Sequence, residues 1–139
     1  LVLETRDRFG VAILVDCHSM PSASNAQVQG ARPHFVIGDR FGCACDGRLT
    51  RLVRDILGSG GFDVQLNRPY AGGFITEHYG RPTDGVHAIQ IEINRALYLD
   101  EERFAKTTGF SALSDKLARF ADRLFAEAPM AQARRTAAE

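Results

Sequence analysis

Net charge is the first thing this sequence lacks: over 139 residues, 17 Lys and Arg balance 17 Asp and Glu. That balance removes the electrostatic case for nucleic acid or an anionic membrane surface as a partner. No apolar run approaches the ~20 residues a transmembrane helix needs, and no basic segment leads into an apolar one as in a signal peptide. Cysteines number three, an odd count that speaks against a secreted disulfide framework. Internal repeats and low-complexity tracts are absent. An initiator methionine is absent too. The chain opens "LVLETRDRFG", which reads as the last turns of a helix stopped by Gly10 and looks cut from something longer. The expectation is a reduced, cytoplasmic, single domain of ordinary composition, 45% hydrophobic and 24% charged. Any site assembled within it is expected to be incomplete.

What is present reads as alternating strands and helices. Residues 11–15 form a β-branched and aliphatic run, the pattern of a strand buried on both faces. It ends in Asp16, Cys17, His18 and Ser19, and a Ser-, Asn-, Gly- and Pro-rich loop over 19–33 follows. "HFVIGD" (34–39) is a second strand. Asp46 caps a helix whose apolar positions, Leu49, Leu52, Val53, Ile56 and Leu57, recur at helical spacing until Gly58 to Gly61. A third strand covers 62–70, and a long polar loop covers 71–85. The stretch "VHAIQIEINRALYL" (86–99) starts as a strand, with Gln90, Glu92 and Asn94 on one face and His87, Ile89, Ile91 and Ile93 on the other. An amphipathic helix runs from Ser111, capped by Ser111 or Ser114, and a tail follows Pro129. The fold class is therefore α/β, a layered, mixed but mainly parallel sheet flanked by helices. Ligands in such sheets sit beyond the carboxyl ends of the strands, where Asp16 to Ser19 and Asn67 to Tyr70 fall.

Several of these residues suit chemistry. A neutral imidazole at His18 is a good zinc ligand, which Asp16 or Ser19 could orient; a hydrogen-bonded structural histidine is the bland alternative. Glu92 lies between isoleucines, where a carboxylate is costly unless paired or metal-linked. It could serve as a general base, or form a salt bridge to Arg95 or another arginine. Arg40, Arg68, Arg81 and Arg95 lie in or beside the polar segments, and a guanidinium fork suits a carboxylate, so a small acidic substrate is plausible. The Cys17 and Cys43-x-Cys45 spacing does not match a structural zinc site. His34, His78 and His87 lack ligand spacing, and "AGGF" (71–74) lacks the strand–helix context of a nucleotide fingerprint.

The blocks "DCHSMPS" (16–22), "GDRFG" (38–42), "NRPYAGGFITEHYGRP" (67–82) and "GVHAIQIEINRALYLDE" (85–101) together resemble the N-formylglutamate amidohydrolase family. The likeness runs over most of residues 10 to 103. It implies a zinc-dependent exopeptidase-like α/β fold and hydrolysis of N-formyl-L-glutamate to formate and L-glutamate, the closing step of one histidine-degradation route. By the same resemblance His18, in its "HS" pair, is a zinc ligand and Glu92, in "IEINR", is the general base. Loop arginines hold the two glutamate carboxylates. The family's other two ligands, a histidine and an acidic residue, come from a segment upstream of the "DCHS" strand, and no histidine precedes Gly10 here. Residues 1–129 are thus expected to be the C-terminal portion of one hydrolase domain and 130–139 a tail. The isolated chain is expected to bind zinc weakly, to be inactive and to be prone to self-association. Two alternatives stand beside this reading: a related zinc hydrolase for another N-acyl amino acid or peptide, and a non-catalytic domain that keeps the fold.

Overall fold

Residues 1–23 and 33–128 are described by the structure, a computed structural model. The first helix, α1 (Val2–Phe9), ends where the sequence places its stop, with Gly10 in the left-handed conformation at φ 76°. The elements that follow are β1 (Ala12–Met20), β2 (Phe35–Gly38), α2 (Gly47–Ser59), β3 (Val64–Leu66), α3 (Phe74–Tyr79), β4 (Val86–Asn94), β5 (Leu99–Asp100), β6 (Ala105–Lys106) and α4 (Gly109–Glu127). The main sheet has the order β1-β4-β2-β3. β1 runs parallel to β4, and β3 parallel to β2, while β2 and β4 are antiparallel. Two of its three pairings are parallel, so the sheet is mixed and mainly parallel, with helices packed on it as the sequence implies.

One face of the sheet is apolar. Phe35 and Ile37 of β2 and Ile89 and Ile91 of β4 pack with Leu49, Val53, Ile56 and Leu57 of α2 and with Leu113, Phe120 and Leu124 of α4. The helical spacing of the apolar residues in α2 and α4 brings their stripes onto that face. Asp46 caps α2 as expected, its carboxylate accepting the Arg48 N–H at 2.8 Å. Between α1, β1 and α4 an apolar groove of about 830 Å³ opens, lined by Phe9, Ile13, Val15, Phe120 and Phe125 among others. The other face is the polar one, and residues 71–73 and α3 lie across it.

Four boundaries differ from the sequence reading. β1 does not stop at Val15 but continues through Asp16, Cys17, His18 and Ser19 to Met20, and its middle is half-buried rather than enclosed on both faces. It lies at one edge of the sheet, where polar side chains meet water, while pairing with β4 residue by residue from Ala12 to Met20 holds it extended. The third strand is three residues long, because Asn67 turns the chain with φ 58°. The segment 71–85 is not simply a loop: it holds α3 and a 3₁₀ turn over Pro82–Asp84. Finally, α4 starts at Gly109, and neither Ser111 nor Ser114 is its cap. The small β5–β6 hairpin delivers the chain so close to Leu97 that a Cβ at Gly109 would collide with the Leu97 carbonyl oxygen, and this approach sets where the helix begins. The tail at 130–139 and most of the 19–33 loop lie outside the described residues.

Candidate active site

β1 and β4 are adjacent, and their register puts His18 opposite Glu92 and Asp16 opposite Gln90. Strands lie about 4.8 Å apart, and paired residues of parallel neighbours project to the same face. The two side chains singled out from sequence therefore stand side by side. Both sit in the carboxyl-terminal halves of parallel strands, the part of an α/β sheet where ligands bind.

Their environments differ. Glu92 is 6% exposed. Its Oε1 accepts the Gln90 Nε2–H at 2.8 Å. Oε2 has no donor among the described residues and is not among the polar atoms sealed from solvent. Burial pushes the Glu92 carboxyl above its ordinary value of 4.5; His18 pulls it back, as do Gln90 and, more weakly, Arg95, while Asp16 adds to the rise. His18 is half-exposed, and its Nε2 lies 2.9 Å from Asp16 Oδ2. A carboxylate accepts only, so Nε2 carries a proton, and in the neutral form of the ring the lone pair is on Nδ1. Of the two orienting partners foreseen for His18, Asp16 makes the contact. Ser19 instead faces Arg95, accepting its Nε–H at 3.1 Å.

The arginines separate in the same way. Arg40 is committed: its guanidinium pairs with Glu77 at 3.1 Å and reaches the Gly72 carbonyl. Arg81 donates to the carbonyls of Glu77 and Gly80, tying down the end of α3. Arg95 is half-buried, bound to Ser19 and within electrostatic reach of Glu92. Arg68 is exposed and makes no bond to the other described residues, which leaves its guanidinium available.

Behind these arginines is a knot that sequence reasoning missed. Asp39, 4% exposed, accepts from the Gly42 N–H, the Asn67 side-chain amide and the Thr50 hydroxyl. Asn67 Oδ1 in return accepts the Asp39 and Phe41 N–H groups. The pair locks Arg40, Phe41 and Asn67 at φ between 55° and 58°, and so sets how Arg40 and the neighbouring Arg68 leave the backbone. Residues of this kind have no local sequence signal, since they lie 28 positions apart. The alternation of the strand puts Gln90 on the face of Glu92, but nothing in the sequence marks it as a partner of that carboxylate.

The other histidines have ordinary partners. His34 Nδ1 accepts the Asp63 N–H, His87 Nδ1 accepts the Asp46 N–H beside the cap of α2, and His78 stacks on Phe74. Cys17, Cys43 and Cys45 are free, and burial pushes the Cys45 thiol up to about 12. Among the described residues no three His, Cys, Asp or Glu form a group that could hold a metal ion. His18, with Asp16 behind it and Nδ1 free, has the arrangement of a metal-ligating histidine. It is a single imidazole donor, and no group of three such donors forms around it among the described residues. No helix among them is long and apolar enough to cross a membrane.

A family model described as N-formylglutamate amidohydrolase matches residues 1–99. The chain belongs to the N-formylglutamate amidohydrolase family. It is 39% identical over 95 residues to an N-formylglutamate deformylase of Pseudomonas aeruginosa, covering 68% of this chain and 36% of that protein. A deformylase of Pseudomonas putida is 35% identical over 97 residues, covering 69% of this chain and 36% of the relative. The crystal structure of an N-formylglutamate amidohydrolase from Ralstonia eutropha JMP134 superposes with a TM-score of 0.83 at 32% identity, over 97% of this chain and 48% of that one. The chain thus spans about a third of the length of these curated relatives and about half of the solved structure. The matched segment contains His18, Arg40, Arg68, Arg81, Glu92 and Arg95, so every candidate site residue lies within the family portion.

Proposed function

We propose that this chain is the part of an N-formyl-L-glutamate hydrolase that carries its general base and one ligand of a catalytic zinc ion. The observation that carries the reading is the pairing of His18 with Glu92 at one register of two parallel strands. When bound, zinc supplies Lewis acidity, lowering the pKa of an attacking water and polarising the formyl carbonyl. His18 would hold the ion, and Asp16, bound to Nε2, would keep the imidazole oriented toward it. Glu92 presents Oε2 to the water, takes its proton as the formyl carbon is attacked, and hands that proton to the departing glutamate nitrogen. Formate and glutamate leave. Partial desolvation suits Glu92 to this task, since burial makes its carboxylate a better base than a solvated one.

Arg68 is the residue best placed to take a substrate carboxylate, because its fork has no internal partner, with Arg95 as the second candidate near Glu92. Arg40 braces the 71–72 backbone that follows Arg68, and Arg81 braces the end of α3. The ligand set needs residues beyond those described, and we place them elsewhere in the whole protein. The same reading sets the enzyme in the cytoplasm at the end of a histidine-degradation route. One observation favours a second reading, a non-catalytic domain that keeps the fold: the described residues contain no three-ligand group.

Formate release decides between them. The whole protein loaded with zinc should release formate from N-formyl-L-glutamate and leave N-acetyl- and peptidyl-glutamate largely untouched. Preference for an acetyl or peptidyl substrate would move it to another acyl specificity, and absence of any hydrolysis would support the non-catalytic domain.

A further inference from the structure

The carboxylate of Glu92 has two oxygens, and the fold treats them differently. Gly73 N–H can only donate, and it does so to Gln90 Oε1 at 2.7 Å. The direction of the Gln90 amide is thereby fixed, so that its Nε2–H points at Glu92 Oε1, 2.8 Å away. A flipped amide would set its NH₂ against the Gly73 N–H and its carbonyl against a carboxylate, two repulsive contacts at a residue only 5% exposed. Glycine at 73 is part of the arrangement, since a Cβ there would lie 3.3 Å from Gln90 Oε1. The same stretch of backbone takes hold of Arg40: the Ala71 carbonyl accepts its backbone N–H at 2.8 Å, and the Gly72 carbonyl accepts its side chain at 3.3 Å. Arg68 lies three residues before Ala71.

We propose that Gln90 is a positioning residue for hydrolysis: its amide bridges the 71–73 backbone to Glu92, occupies Oε1, and leaves Oε2 as the oxygen that meets the attacking water. This rests on the hydrolase reading and adds a residue to it. A second consequence is coupling, because movement of the glycine stretch reaches the base through two hydrogen bonds.

Two variants test the bridge. Gln90→Met keeps the length of the side chain and removes both bonds, and Gln90→Asn keeps the amide but is one methylene too short to span the gap. In the whole zinc-loaded protein each should lower kcat for N-formyl-L-glutamate about 10- to 100-fold with KM changed less than about twofold, the pattern of a misplaced base. In the 139-residue chain, hydrogen exchange at the Gly73 amide should speed up in both variants while amides of β4 stay protected. A raised KM at unchanged kcat would mean that Gln90 only props the arginine-bearing loop, and the proposal would be overturned. Unprotected Gly73 in the wild type would overturn it as well, because then no bridge exists. If Gln90→Met loses its cooperative melt, Gln90→Asn alone decides. Absence of formate release by the wild type is a separate failure, that of the hydrolase reading, and it removes the positioning role with it.

Discussion

The two faces of β4 are built from alternate residues of one strand, yet they obey different rules. Ile89 and Ile91 face α2 and α4 in a core where Phe35 and Ile37 are fully enclosed. Gln90, Glu92 and Asn94 are just as buried, but each is held by named hydrogen bonds: Gln90 to Gly73, Glu92 to Gln90, Asn94 to the Pro33 carbonyl. The apolar face is specified by volume and tolerates similar shapes; the polar face is specified by direction, donor against acceptor. Substitutions on the first should therefore be read in stability, and on the second in chemistry.

Glu92→Gln should give the largest split between the two. In the whole protein it should reduce turnover by a factor of about 10²–10⁴ as the base is lost. In the metal-free chain at pH 7 it should raise the melting temperature, because a buried carboxylate held above 4.5 destabilises the fold whenever it is charged. The sign follows from the direction of the shift: the penalty is full above the raised native value and vanishes below 4.5, so the advantage of the variant should disappear in acid. Phe35→Ala is the mirror case. It should cost about 3–5 kcal/mol of stability in chemical denaturation through the cavity it opens, since Phe35 is wholly enclosed.

Asp16→Ala should sharpen the contrast within the polar face. It leaves the fold intact but should weaken zinc binding by about 10- to 100-fold, measured by competition with a chelator, because His18 loses its orienting partner. The smallest effect is away from both faces. Asp46→Ala should cost about 1 kcal/mol in urea titration through loss of the α2 cap. Arg48, by side chain and backbone, holds the Asp46 carboxyl down at about 2, below its ordinary 3.8. That stabilisation is complete above 3.8 and is lost as pH falls through about 2, below which wild type and variant should converge.

Much of this arrangement was legible in the sequence because periodicity is local. The alternation in "AIQIEIN" (88–94) divides the two faces of β4, and the helical spacing of Leu49, Val53 and Ile56 marks the buried side of α2. What stayed hidden depends on residues far apart in the chain. Nothing near His18 announces that β1 continues through it, since pairing with β4 some 70 positions away holds that stretch extended. Asp39 and Asn67 look like turn residues until the fold brings them together. The start of α4 was misplaced because the close approach of Gly109 to Leu97 is a tertiary contact, not a capping signal. The arginines could be named as a set but not ranked, because whether a guanidinium is free depends on neighbours such as Glu77 and Ser19.

Metal content and formate release, measured together on the zinc-loaded whole protein, its Glu92→Gln variant and its His18→Ala variant, bear most directly on the claim that one imidazole and one carboxylate serve a single ion. The account predicts that Glu92→Gln keeps its zinc and loses formate release, while His18→Ala loses both. Wild-type turnover in Glu92→Gln, or undiminished zinc in His18→Ala, would contradict it.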